Sequence, residues 1–187
     1  MASHRAKCFD SRMTALTVTP VTCSAQIARV AELAQIIWNE HYLEIIGQAQ
    51  IDYMLARFQR PAAIAEQIAA GDAYFLLSPA TMQPTLETAI GYLALRVQAS
   101  RVFISKLYVL KACRGQGYGR AALEWVAAWA RARRVSVIWL TVNKYNPALH
   151  AYLKIGFIKT AEVVTDIGAG YVMDDYQLEW QLEWPLE

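Results

Sequence analysis

An apolar run from Val102 to Leu110 leads into Arg114-Gly115-Gln116-Gly117-Tyr118-Gly119-Arg120, and a helix-like segment, Ala121 to Ala130, follows directly. This order spells a strand, a glycine-rich turn and the first turn of a helix. Glycines allow the backbone to approach a ligand, and the unpaired N–H groups of a helix start point outward, so such a turn is a ready anion site. The arginines at either end suit a phosphate or pyrophosphate. A turn of this kind also occurs with no ligand at all. The spacing of Gly115, Gly117 and Gly119 does not match G-x-G-x-x-G, and no Gly-Lys-Ser/Thr follows, so neither a dinucleotide fingerprint nor a P-loop is present. The strand is moreover preceded by a hairpin, unlike a dinucleotide-binding half.

Thr14 to Val21 reads as an edge strand. Ser24 offers an N-cap to a helix whose core residues recur at Ile27, Val30, Ala31, Ala34, Ile37 and Trp38. Ile51 to Phe58 is a second helical piece. Pro61 opens a third helix and Gly71 closes it. Ala73 to Leu77 is strand-like, and Pro79 to Pro84 is a turn. Ile90 to Val97 and Val102 to Leu110 form an antiparallel pair joined by Gln98 to Arg101. Val135 to Val142 is another strand, Pro147 to Lys154 a short helix ending at Gly156, and Phe157 to Thr165 and Tyr171 to Trp180 are two closing strands. The pattern predicts one domain over residues 13–187, behind a loose tail at residues 1–12, with a mixed sheet and helices against its faces.

Composition narrows the function. With 56% hydrophobic and 18% charged residues the chain is apolar, yet charges or turn residues interrupt every apolar stretch before it reaches membrane-spanning length. Residues 1–12 lack the apolar centre of a secretory signal. A net charge of +2 predicts no strong field for nucleic acid. Cys8, Cys23 and Cys113 are odd in number and show no metal spacing, so free thiols and a cytoplasmic setting are expected, with no metal site.

The segment after Val142 sharpens the reading. It runs Asn143-Lys144-Tyr145-Asn146-Pro147-Ala148, then Tyr152, then Gly156-Phe157. Asn143 stands at a strand end, where its amide can donate and accept. Asn146 can cap the helix before Pro147, and Tyr152 can equally be a packed aromatic. Taken with the glycine turn, the chain resembles the GCN5-related N-acetyltransferase (GNAT) superfamily. Arg114, Gly117 and Gly119 match its Arg/Gln-x-x-Gly-x-Gly/Ala motif. Asn143, Asn146, Ala148, Tyr152 and Gly156-Phe157 match its second motif. The similarity extends from about Thr14 to Leu182 and is strongest over residues 102–160.

The resemblance implies a single α/β (α+β) domain. Its strongly twisted mixed sheet has six or seven strands, helices on both faces, and a splay between the fourth and fifth strands. Acetyl-coenzyme A would lie in that gap, with its arm on Leu107, Tyr108 and Val109 and its pyrophosphate on the backbone from Arg114 through Gly115, Gln116, Gly117, Tyr118 and Gly119 to Arg120. Asn143 and Asn146 would lie near the arm. Tyr152 would stand near the thioester sulfur as the catalytic acid. The implied reaction is direct attack of a deprotonated amine in a ternary complex, with no metal.

The family's frequent Glu on the fourth strand is missing here. Glu40, His41 and Tyr42, expected after the first helix, are candidates for the base or the acceptor pocket, and Tyr108 and Tyr171 are candidates for the pocket. Asp174 and Asp175 are candidates to attract a cationic amine. Asn39 to Phe58 is expected to form one wall of the acceptor site and Gly168 to Asp175 the other. The acceptor is left open between a small-molecule amine, slightly favoured, and a peptide or protein N-terminus. A non-catalytic acyl-coenzyme A sensor also stays open. The closing strand, with Trp180 and Trp184, could pack at home or form a homodimer.

Overall fold

The computed structural model describes residues 14–183; the expected tail, Cys8 and Trp184 lie outside them. The chain runs β1 (Leu16–Pro20), α1 (Ser24–Met54), a π-turn (Leu55–Gln59), α2 (Pro61–Ala69), β2 (Ala73–Pro79), β3 (Gly91–Gln98) and β4 (Arg101–Val109). A 3-10 turn (Lys111–Cys113), α3 (Tyr118–Arg131), β5 (Val137–Asn143), α4 (Ala148–Ile155), β6 (Ile158–Gly168) and β7 (Tyr171–Gln181) complete it. The order of elements is the one the sequence predicts.

Helix α1 is longer than its apolar periodicity suggests. Val30, Leu33, Ala34, Ile37 and Trp38 form its buried stripe. The helical piece expected at Ile51–Phe58 is not separate, because its start is the far end of α1 and the rest runs into the π-turn. Between the two halves Gly47 takes φ 76 and ψ 162, a backbone region open essentially to glycine alone, and the rod bends there. Glu40, His41 and Tyr42 therefore sit inside the helix rather than after it. Cys23, not Ser24, holds the cap position. The Gln26 side-chain oxygen accepts from the backbone N–H of Thr22 at 2.7 Å and of Cys23 at 3.2 Å.

The sheet has seven strands in the order β1-β2-β3-β4-β5-β7-β6. Strands β1 to β4 form an antiparallel meander. Gly91 lets β3 lie close on β4, since a Cβ there would stand 2.2 Å from the carbonyl oxygen of Tyr108. Strands β4 and β5 are parallel and pair only over Arg101–Phe103 against Val137–Trp139. Beyond that point they part. The Phe103 ring stacks on Trp139 at the fork, with centroids 4.2 Å apart. β7 then pairs with β5 along its whole length, and β6 closes the edge.

A bulge in β4 prepares the opening. Ala94 faces Lys106 whereas Leu95 faces Ile104, so Ser105 is the extra residue. The bulge reverses the alternation. Val102 and Ile104 join the core under α3, yet beyond it Tyr108 packs with α1 while Leu107 and Val109 turn to the α3 side. The two cores lie on opposite faces. One gathers Leu93, Leu95, Leu123, Val126, Ile138 and Leu178; the other gathers Leu33, Ile37, Ile51, Ile64, Leu76 and Tyr92. Among the described residues, no helix is long and apolar enough to cross a membrane.

Candidate active site

A cleft of about 560 Å³ occupies the space where β4 and β5 separate. Its first wall is main chain. Past Phe103 the β5-facing edge of β4 has no strand partner. The Leu110 N–H donates to the Ile90 carbonyl at 2.9 Å, toward the β3 side. Alternation along the strand therefore turns the N–H groups of Val109 and Leu107 to the open edge.

The glycine turn closes the outer end. Gly115 and Gly117 have φ of 75 and 88, left-handed values that suit glycine. Gly117 precedes α3, and the Ala121 N–H is the first to bond back, donating to the Gly117 carbonyl at 3.0 Å. The N–H groups of Tyr118, Gly119 and Arg120 thus point out of the helix start. No acidic side chain lies in that first turn. A Cβ on Gly119 would meet nothing within 4 Å, so the space above it is open to a ligand. Backbone amides, the helix dipole and open space together fit a pyrophosphate.

The arginines play different parts from those expected of a bracketing pair. The Arg114 Nε–H donates to the Val109 carbonyl at 2.9 Å, and its Nη1 lies 3.1 Å from His41 Nδ1. Its guanidinium braces β4 and α1 instead of projecting as a free cation. Arg120 is exposed and pairs with Glu124 at 2.8 Å. The Gln116 side chain is turned back to the Ala112 carbonyl at 2.9 Å. The anion site is thus built from backbone.

The second wall is the end of β5 and α4. Asn143 accepts a hydrogen bond at Oδ1 from the Tyr145 N–H at 3.0 Å. Asn146 is buried and caps α4, its Oδ1 accepting from the Ala148 N–H at 2.9 Å. Its Nδ2 donates to the Tyr42 hydroxyl at 3.3 Å, so this residue is a scaffold as much as a ligand contact. Tyr152 lines the cleft from α4, its ring edge-on to Phe157 at 5.4 Å. Burial, with Tyr42 nearby, raises its phenol above the ordinary value. The hydroxyl stays protonated and available to donate.

The third wall is α1. Trp38, Tyr42, Ile46, Gln50 and Met54 line the cleft at a spacing of four residues, carried across the bend at Gly47. All but Trp38 fall in the Asn39–Phe58 segment expected as one wall, although of these only Tyr42 was singled out from the sequence. His41 Nε2 lies 3.1 Å from Asn146 Oδ1. An arginine can only donate, so His41 Nδ1 accepts from Arg114 and Nε2–H donates to Asn146. Burial and Arg114 lower its pKa. His41 is therefore a neutral strut whose basic nitrogen is already engaged. Tyr42 and Tyr108 pack edge to face at 6.3 Å, and burial raises both phenols.

Tyr171 is not part of the lining. It packs on Tyr53, with centroids 5.2 Å apart, because the second half of α1 covers the β6–β7 turn. Met173 and Asp175 are the β7 residues that reach the cleft. The adjacent aspartates diverge: Asp174 bridges to Lys144 at 2.6 Å, whereas Asp175 is 4% exposed and its pKa is raised to about 6, chiefly by burial. Cys113 stands half-buried at the turn as a free thiol. Among the described residues no cluster of His, Cys, Asp and Glu could hold a metal.

A groove with a bare strand edge along its length and an amide cradle at its outer end has the form to hold a long carrier with a phosphate-bearing tail. The protonated phenol of Tyr152 lines this groove. The acetyltransferase (GNAT) family matches residues 31–157, and the chain belongs to it. A streptothricin acetyltransferase from Streptomyces lavendulae is 37% identical over 70 residues, which are 36% of this chain and 37% of that protein, so the chain spans about a third of its relative's length. The PaiA N-acetyltransferase of Thermoplasma acidophilum, solved in complex with coenzyme A, is similar in fold with a TM-score of 0.73 at 16% identity, over 89% of this chain and 99% of that one. A nourseothricin acetyltransferase structure has a TM-score of 0.51 at 22% identity, over 60% of this chain and 66% of that one.

Proposed function

We propose that the protein moves an acetyl group from acetyl-coenzyme A to the primary amine of a small cationic molecule. The observation that carries this reading is the parting of β4 and β5 around Tyr152. The arm of the donor lies along the open edge of β4, where the N–H groups of Leu107 and Val109 bond to it, and its pyrophosphate rests on residues 114–120. The amine attacks the thioester carbonyl directly. A β4 N–H stabilises the oxyanion, and holding both reactants in one groove contributes through orientation. The Tyr152 hydroxyl gives its proton to the departing sulfur and recovers one from the new amide nitrogen.

The small-molecule acceptor is favoured by the lining of the third wall. Tyr42, Ile46 and Met54, with Gln50 among them, make that wall largely apolar, and a largely apolar pocket with few polar groups suits a compact ligand. Two of the relatives carry the names of small acetylated compounds, which points the same way. The test is thiol release from acetyl-coenzyme A over a panel of streptothricin, polyamines, amino sugars and short peptides. Turnover with the small amines supports the reading, and turnover confined to peptide N-termini overturns it. Tight coenzyme A binding without transfer to any amine would make the protein a sensor.

A further inference from the structure

We propose that Asp175 is the group that receives the cationic amine and takes its proton. The proposal rests on the acetyl-transfer reading and supplies the base that β4 lacks. Asp175 is buried, and its Oδ1 has no hydrogen-bond partner although it lines the cleft. A buried carboxylate oxygen left unpaired is costly, so its retention here points to a cationic ligand group as the missing partner. The pairing of β7 with β5 sets Asp175 opposite Asn143, at the strand end facing the fork.

Its surroundings leave it free for this work. On its own strand, Asp174 raises its pKa but is tied to Lys144 and Glu162's partner network at the surface. From β5 the Thr141 hydroxyl, beside it, lowers its pKa. From α1 the group that feels its charge is Tyr42, whose phenol is neutral, and from β6 the residue in register is Val163. The neighbouring His41 is neutral and Arg114 is bound to Val109 and His41, so neither neutralises Asp175.

The proton balance closes. The ammonium gives one proton to Asp175, and the freed lone pair forms the N–C bond. The C–S bond breaks, Tyr152 protonates the sulfur, and the surplus proton on the nitrogen returns to Tyr152. Asp175 then releases its proton to solvent. An ionised Asp175 allows the enzyme to use the abundant ammonium form, so kcat/KM should be flat above about pH 6.

The experiment compares wild type, Asp175→Asn and Asp175→Glu on the amine of the panel that wild type acetylates fastest. In Asp175→Asn, kcat/KM for the amine at pH 7 should fall about 100-fold or more and rise about tenfold per pH unit toward the pKa of the amine. The KM for acetyl-coenzyme A should stay within about twofold, and Asp175→Glu should recover part of the loss. An unchanged pH profile in Asp175→Asn overturns the proposal. If wild type transfers to no amine, the acetyl-transfer reading fails by itself. Asp175 is then tested by carboxyl carbon-13 NMR titration with streptothricin as probe. A fall of its midpoint by about one unit or more supports cation binding, and an unmoved midpoint overturns it.

Discussion

Replacing Tyr152 with Phe removes one oxygen from the fork and leaves the cradle intact. The expected result is a kcat about 100-fold lower with the coenzyme A affinity within about twofold, measured by steady-state kinetics and calorimetry. Asp175 makes a prediction about stability. Its carboxyl ionises near 3.8 when unfolded and near 6 when folded, so the native state holds an extra proton between those values. Stability from this group therefore falls as pH rises through that window and stays low above it. Asp175→Asn should raise the melting temperature above pH 6 by roughly 2–4 °C per kcal/mol relieved, and the gain should vanish below pH 4 in a thermal scan series. The place of Tyr152 in the cleft was legible because motif residues sit at fixed spacing after Asn143. The role of Arg114 was not, since it depends on His41, 73 residues away in sequence. Neither was the fate of the two aspartates, which adjoin in sequence and face opposite environments.

At the scale of elements, the open edge of β4 is where the proposed donor would meet the fold. Amide hydrogen exchange should show Leu107 and Val109 slowing when coenzyme A binds, while Leu110, already bonded to Ile90, changes little. Equal protection of all three in the free protein would contradict the open edge. Helix α1 lines the side of the cleft where the proposed acceptor would sit. Gly47→Ala meets no atom within 4 Å, but its backbone is strained at φ 76. It should raise the acceptor KM about tenfold and leave the coenzyme A dissociation constant unchanged in a binding assay. Gly91→Ala has no such latitude. Its Cβ would press on backbone, so a loss of about 3 kcal/mol or more is expected from urea unfolding. Apolar alternation revealed β4 as a strand. The bulge at Ser105 was invisible because it appears only in the register with β3. The bend at Gly47 was hidden for a similar reason: one glycine in a helical pattern does not announce whether the rod stops, bends or continues.

Across the whole molecule, two helical layers clamp a sheet that is continuous at one end and forked at the other. Phe103 and Trp139 hold the closed end, and a double-mutant cycle to alanine should give a coupling of roughly 0.5–1.5 kcal/mol in chemical denaturation. The order of elements and the splay followed from the strand, turn and helix pattern together with the motif resemblance. The two wall segments, Asn39–Phe58 and Gly168–Asp175, were also expected; which of their side chains face the cleft was not, because that depends on the bend at Gly47 and on the register of β7 against β5. The open edge of β4 has a consequence for how such a protein changes over generations. In the proposed reading the donor is gripped mainly by peptide groups, which nearly every residue supplies, so side chains along that strand can drift while the grip persists. The acceptor of that reading meets side chains from α1 and β7, where a single codon change alters what is recognised. New acceptors can therefore be acquired by a lineage without rebuilding the donor half, and descendants that share one chemistry need not share a target.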